Sequence, residues 1–273
     1  MRLPENVKMG RFGALPLRDL AIPRAVSSKH NREMNLILLF DEDFVAPDRV
    51  RLEGRRLMHM RQVQRLEAGA RLRVGRVNGL IGEARVVALD ERCAELEVAL
   101  QQPPPAALPL TLIMALPRPK MLRRCLRTVA ETGVERLFLI NSARVEKSFW
   151  QSPWLLPEKI RECLLLGLEQ ARDTRLPEVH LRPRFKPFVE DELPGFAADR
   201  LALLADPGGA SLAELRLATP LPAPALLTIG PEGGFVPYEV EKLVVAGCRP
   251  FTLGERIYRV ESVLPLLLGR LFV

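Results

Sequence analysis

Apolar residues along this chain follow two rhythms, and the change between them falls near residue 103. From Asn35 to Leu100 the pattern is mostly that of strands. Leu36 to Phe40 is a short apolar run, Arg71 to Val77 alternates Leu72 and Val74 with Arg71 and Arg73, and Ala84 to Leu89 and Ala94 to Leu100 continue in kind. Asn78-Gly79 predicts a tight hairpin with a type I′ turn, because both residue types accept the positive φ that turn demands. Arg55, Arg56, His59, Arg61 and Arg65 are interleaved with Leu57, Met58, Met60, Val63 and Leu66, which predicts a short basic amphipathic helix. A solvated face and an RNA contact both account for its charge.

Pro103-Pro104-Pro105 cannot join a helix or a central strand, so the boundary between two domains is placed there. Beyond it strands alternate with helices. Strands are expected at Thr111 to Leu116, Arg136 to Ile140, Leu201 to Ala205, Leu226 to Ile229 and Pro250 to Leu253. Helices are expected at Lys120 to Thr132, Leu155 to Arg172 and Pro237 to Ala246. This alternation predicts an α/β domain with a mainly parallel sheet, whose ligands bind at the carboxyl ends of the strands. The last segment, Val260 to Phe272, is apolar nearly all round, so it requires burial on several sides, within the fold or against a second subunit.

Two glycine-rich loops fall at such carboxyl ends: Ile229-Gly230-Pro231-Glu232-Gly233-Gly234-Phe235 and Leu253-Gly254-Glu255-Arg256-Ile257-Tyr258-Arg259-Val260-Glu261-Ser262. Glycine lacks a Cβ and lets a backbone approach a ligand closely, so the pair points to a small-molecule pocket; two ordinary turns are the plainer alternative. The pattern Gly-x-x-x-x-Gly-Lys-Ser/Thr is absent, which removes a Walker site, and no Gly-x-Gly-x-x-Gly opens a helix, which removes a Rossmann dinucleotide site. Nor does a Gly-x-Ser-x-Gly elbow support a hydrolase.

Charge adds a possible partner. The 273 residues carry 40 Lys+Arg against 33 Asp+Glu, a net +7 that favours an anionic partner. Residues 1–34 hold +4 of that excess, so the remainder is only mildly basic. Residues 1–33 are expected to be a flexible extension or the product of an upstream start codon; a transit peptide would suit their basic excess but not their prolines and three acids. In the helix at 120–132, Lys120, Arg123, Arg124 and Arg127 oppose an apolar face and continue from Arg118, an arrangement suited to phosphate. The four cysteines and three histidines are scattered, which argues against a zinc site and a disulfide scaffold, and the thiols suit a reducing cytoplasm. No stretch is long and apolar enough to span a membrane.

These residues resemble the SPOUT-class, trefoil-knotted 16S rRNA N3-uridine methyltransferases, the ribosomal small subunit methyltransferase E family, over nearly everything from Met34 onward. Ile229 to Phe235 matches the family's Ile-Gly-Pro-Glu-Gly-Gly-Phe, and Leu253 to Ser262 matches Leu-Gly-x-Arg-Ile-Leu-Arg-x-Glu-Thr. Tyr258, Val260 and Ser262 depart from the usual Leu, Thr and Thr. Supporting matches are Ala115 to Lys120, Ala130 to Val134 and Glu169 to Glu178.

The resemblance implies a PUA-like β-barrel at 34–102 that helps hold RNA, a linker at 103–108 and a knotted α/β methyltransferase domain at 109–273. It implies S-adenosylmethionine as cofactor, no metal, a homodimer, and a decoding-centre uridine of 16S rRNA in the small ribosomal subunit as target. The cofactor-binding residues would be Leu203, Ala205, Ile229, Gly230, Pro231, Glu232, Gly233, Gly234, Leu253, Gly254, Ile257 and Tyr258, with Leu203 to Asp206 completing the pocket. RNA would be met by Arg56, Arg118, Lys120, Arg123, Arg172 and Arg175.

Uracil N3 carries a proton, so methylation there develops negative charge on the flanking carbonyl oxygens. Arg259 is nominated to stabilise that charge, as a permanent cation with several donors. Glu261 either accepts the proton, fixes Arg259, or serves only as a favourable charge at a helix start. Two other readings remain open, a noncatalytic RNA-binding assembly factor and a ribose 2′-O-methyltransferase of another knotted family.

Overall fold

The computed structural model describes residues 35–221 and 224–272, and the extension expected at 1–33 lies outside them. Strands β1 (Ile37–Leu39), β2 (Phe44–Ala46), β3 (Arg49–Leu52), β4 (Arg71–Arg76), β5 (Ile81–Leu89) and β6 (Ala94–Gln102) form one mixed sheet in the order β1-β4-β5-β6-β3-β2. All neighbouring pairs in it are antiparallel except β1 with β4. The expected basic helix is short: α1 (Gly54–Met58) passes into a wider π turn, His59–Val63. Leu57 and Met60 are its anchors in the core of this sheet.

After the proline stretch, six strands form a second sheet that is parallel throughout: β7 (Leu108–Ala115), β8 (Val134–Ile140), β9 (Glu178–Arg182), β10 (Leu201–Ser211), β11 (Ala225–Ile229) and β12 (Arg249–Thr252). Their order is β12-β10-β11-β7-β8-β9. The helices are α2 (Pro119–Glu131), α3 (Pro157–Ala171), the short α4 (Phe185–Pro187) and α5 (Leu193–Ala197), α6 (Pro237–Val245) and α7 (Val260–Phe272). Pro119, Pro157 and Pro237 each open a helix, where proline's missing N–H costs nothing. Strand β9 was not anticipated, because Glu178-Val179-His180-Leu181-Arg182 carries only two aliphatic residues on an edge strand.

β1 explains why Leu36 to Leu39 is a continuous apolar run rather than an alternating one. Ile37 and Leu39 enter the core of the first sheet, whereas Leu36 and Leu38, with Ile81, enter the core of the second. A strand covered on both faces has no position for a polar side chain.

The seam between the sheets is also polar. The Leu36 N–H donates to the Glu169 carbonyl at 3.1 Å, and the Arg55 guanidinium forks onto the Glu169 carboxylate at 2.6 and 3.2 Å. The Asn78-Gly79 hairpin departs from the type I′ expectation: Asn78 has φ +58°, but Gly79 does not share the left-handed conformation. Its tip is instead shaped to fit the segment after α3. The Asn78 N–H donates to the Thr174 carbonyl at 2.7 Å, its Oδ1 accepts from Leu176 N–H at 2.9 Å, and Thr174 Oγ1 donates to the Gly79 carbonyl at 2.6 Å. Thr174 is wholly buried.

Thr174→Val keeps the shape and deletes the hydroxyl, leaving the Gly79 carbonyl without that donor. It should cost about 1–3 kcal/mol, read as a lower urea midpoint; an unchanged midpoint would show that water replaces the hydroxyl at no cost.

Candidate active site

In a parallel sheet all strands point the same way, so the loops that leave their carboxyl ends share one edge. Here the loops after β7, β8, β11 and β12 and the far part of β10 meet along it. The ends of β10, β11 and β12, with the start of α7, line a cleft of about 120 Å³ that opens to solvent. Its walls are mainly apolar, including Ile229, Phe235, Phe251, Leu253 and Val263. Its polar groups are the backbone of the two glycine loops and the side chains of Asp206, Glu232, Thr252, Arg256 and Tyr258.

Most of the expected cofactor contacts converge on this cleft. Ala205, Ile229, Gly230, Pro231, Glu232, Gly234, Leu253, Gly254, Ile257 and Tyr258 all line it. Leu203 does not. It sits two residues deeper along β10, roughly 6–7 Å below the sheet edge, and is fully buried in the core. Gly233 is at the turn of its loop but faces away from the cleft, toward Arg144.

Strand β10 contributes more than its sequence pattern indicated. It continues through Asp206-Pro207-Gly208-Gly209, and its pairing with β12 shifts so that both Ala205 and Ala210 oppose Phe251. The four-residue bulge between them lets Asp206 and Pro207 line the cleft, and the Gly208 N–H holds Asp206 Oδ1 at 2.8 Å. A Cβ on Gly209 would lie 2.4 Å from the Phe251 nitrogen, so only glycine fits this contact. The Gly208-Gly209 pair after an apolar strand is the same signal that marked Gly233-Gly234, and it was legible in the sequence.

The loop 230–236 is fixed at both ends. Gly234, at φ +73°, closes a turn in which its N–H donates to the Pro231 carbonyl at 2.8 Å. Glu239 in the first turn of α6 is only 3% exposed, and both of its oxygens are used. One accepts from Val236 N–H at 3.0 Å, the reciprocal half of a capping box; the other accepts from Ala143 N–H at 2.6 Å, tying down the loop after β8.

The proposed reactive side chains lie just beyond the cleft lining. Arg259 is exposed immediately before α7, three residues after Arg256, which does line the cleft. Glu261 is half-buried in the first turn of α7. On α2, burial first and then the negative charge of Glu261 and Glu232 push the Cys125 thiol up to about 12. Glu232 also reaches the head of α2, where its Oε1 is 3.5 Å from the Arg118 N–H.

The expected RNA contacts separate into distinct places. Arg118 and Lys120 are exposed at the start of α2, on the cleft side of the sheet. Arg172 and Arg175 follow the end of α3, which leads into the amino end of β9 and therefore belongs to the opposite edge, at the seam with the first sheet. Arg123 is half-buried with its guanidinium 4.0 Å from the centre of the Trp154 ring, a cation–π contact within the fold. Arg56 is turned inward as well. It donates to both oxygens of buried Asp43, one at 2.7 Å, and to the Leu38 carbonyl at 3.0 Å, so it braces the first sheet. Helix α7 buries Leu264, Leu267, Leu268 and Leu271 but leaves Leu266 46% exposed, so its own chain does not enclose it.

Among the described residues no group of three or more His, Cys, Asp or Glu is placed to hold a metal ion. No helix of the described residues is long and apolar enough to cross a membrane.

Residues 104–271 match the family model of the RNA methyltransferase domain. The chain is 30% identical over 239 residues to the ribosomal RNA small subunit methyltransferase E of Treponema pallidum, covering 84% of this chain and 87% of that protein. It is 24% identical over 252 residues to the protein of the same name from Synechocystis, covering 92% and 82%. In fold it is similar to a crystal structure of a ribosomal RNA small subunit methyltransferase E from Neisseria gonorrhoeae bound to S-adenosyl methionine. The TM-score is 0.68 at 20% identity, over 86% of this chain and 95% of that one.

The buried thiols give a pH prediction. Cys125 and Cys248 have folded values of about 12 and about 11, above the ordinary 9.0, so the folded state favours the protonated thiol. Their contribution to stability is fully present below 9.0 and is lost as pH rises toward those folded values. Urea midpoints should fall as pH rises from 9.0 toward about 11, and Cys125→Ala should shallow that fall; an identical slope in the variant would remove Cys125 as its source.

Proposed function

We propose that this chain, which belongs to the ribosomal RNA small subunit methyltransferase E family of RNA methyltransferases, transfers a methyl group from S-adenosylmethionine to N3 of a uracil in small-subunit ribosomal RNA. The observation that carries the reading is the convergence of both family loops, 229–235 and 253–259, on one cleft at the carboxyl edge of the parallel sheet. The target is a decoding-centre uridine of 16S rRNA, on the strength of the motif resemblance. The working site is the cytoplasm, where small subunits are assembled.

The cleft fits the cofactor chemically. Its aliphatic and aromatic walls suit the faces of adenine, the bare backbone of the glycine loops offers donors and acceptors to the ring edge, and the Asp206 and Glu232 carboxylates suit the cationic amino and sulfonium groups. When bound there, S-adenosylmethionine supplies a methyl group activated by the positive sulfur.

The chain's own residues then have three tasks. The apolar walls exclude water and hold the methyl donor in line with the incoming base, which removes much of the entropic barrier. Arg259 lies against the carbonyl oxygens that flank N3 and stabilises the charge that develops on them as the N3 proton leaves. Glu261, or Glu232 in the cleft lining, accepts that proton or holds Arg259 in place. Arg118 and Lys120 meet RNA phosphates at the cleft edge, and Arg172 and Arg175 meet the strand farther off, by the seam.

In architecture, residues 34–102 form the PUA-like, barrel-type module that helps hold RNA, 103–108 the linker, and 109–273 the trefoil-knotted domain. The separate core of the first sheet and the proline stretch outside both sheets support this division. A homodimer formed through the knotted domain would cover α7, whose exposed Leu266 supports the assignment.

Nucleoside mass spectrometry of small-subunit rRNA from a deletion strain should show loss of N3-methyluridine. Loss of a ribose-methylated nucleoside instead would favour the 2′-O reading, and no loss would favour an assembly factor. Arg259→Ala should lower the methylation rate at least about 100-fold while changing S-adenosylmethionine affinity by less than about threefold, because the lost contact is made mainly in the transition state. Undiminished methylation by the purified variant would discard the assignment.

A further inference from the structure

One exposed cation beside the first glycine loop is assigned by neither the motifs nor the catalytic scheme. Arg144 lies in the loop after β8, two residues beyond Ser142, and its Nη1 donates to the Gly233 carbonyl on the outer side of the glycine loop. The position is built rather than incidental. Ala143, immediately before it, is held by the buried Glu239 carboxylate, whose other oxygen holds Val236 at the end of the same glycine loop. Gly233 leaves room for the crossing: a Cβ there would lie 3.0 Å from Arg144 Cδ.

Only one of the five guanidinium N–H groups is used in this contact. Arg144 is exposed, and no carboxylate pairs with it among the described residues. The backbone N–H of Arg118 meets Glu232 Oε1, in the same loop, at 3.5 Å. Gly233 is thus gripped through its carbonyl by an exposed arginine. A planar fork with free donors and no acidic partner is the arrangement that takes a phosphate bidentately.

Resting on the methyltransferase reading, we propose that Arg144 is a positioning residue: it takes an RNA phosphate beside the target nucleotide while holding the Gly233 carbonyl, so that RNA binding fixes the outer side of the loop whose inner side lines the cofactor cleft. The residue acts on the reaction through the loop and touches neither the methyl group nor the base. Arginine is required for both tasks at once. A lysine would keep the charge for the phosphate and lose the fork that serves the carbonyl as well.

The test uses full-length protein and small ribosomal subunits from a deletion strain, with binding measured over a range of salt concentrations and without turnover. Arg144→Ala should bind subunits about tenfold more weakly at low salt, and its plot of log affinity against log salt should be shallower by about one unit. Arg144→Lys should retain the wild-type slope. In the wild type, S-adenosylhomocysteine should tighten subunit binding, and by linkage subunits should tighten S-adenosylhomocysteine binding; both variants should lose most of this coupling.

An unchanged slope in Arg144→Ala, with its melting temperature intact, would reduce Arg144 to a loop clamp and overturn the proposal. Wild-type protein in which cofactor and subunit binding are independent would overturn it too. Because none of these readings needs catalysis, a wild type that binds both ligands yet methylates nothing would sink the functional reading while the Arg144 result stood or fell on its own slope.

Discussion

The parallel direction of all six strands in the second sheet is the constraint on which the rest depends. Each strand must be followed by a crossover before the next can be laid beside it, and every crossover leaves from the same edge. Segments separated by more than a hundred residues, such as 141–145 and 253–259, are therefore brought to one edge with no interaction needed to recruit them. Long-range hydrogen bonds between the loops then fix a convergence that topology has already produced. Glu239 is the clearest case: its two oxygens tie the loop after β8 to the loop after β11, at Ala143 and Val236, over 2.6 and 3.0 Å.

The cleft is correspondingly rigid where backbone meets backbone and exposed where side chains are expected to act. Gly209 against Phe251 and Gly234 at its turn leave little freedom to the walls, whereas Glu255 to Arg259 form an exposed run. Such a division suits a site that must present a shaped pocket to a small molecule and an open face to a large one. It also separates the arginines by task. Arg56 and Arg123 brace the fold from inside, while Arg118, Arg144 and Arg259 remain at the surface around the cleft.

Element type was legible in the sequence wherever periodicity was strong. The strands at 111–116, 136–140, 226–229 and 250–253 and the helices at 120–132 and 237–246 lie within a few residues of their observed limits. What failed was short, edge-placed or set by distant partners. β9 has too few apolar residues to register as a strand, and the Asn78-Gly79 turn takes its shape from Thr174 and Leu176, far away in the chain. Of the cleft, the glycine loops were readable because bare backbone is a local signature. Leu203 lies below the cleft lining, and alternation does not encode such depth along a strand. Arg144 gave no signal, since an arginine in a polar loop looks like any other until Gly233 is seen beneath it.

The sharing of β1 between two cores has a consequence for how this chain could have been assembled in evolution. Leu36 and Leu38 lie in one core, Ile37 and Leu39 in the other, and Ile81 crosses with the first pair. Cutting at the proline stretch would strip three buried side chains from the second sheet, each worth roughly 1.5–3 kcal/mol, and bare the sockets that received them. A module joined only by a tether can be exchanged freely between genes. One that lends its own strand to its neighbour's interior is inherited with that neighbour, and the two halves are constrained to accumulate substitutions together.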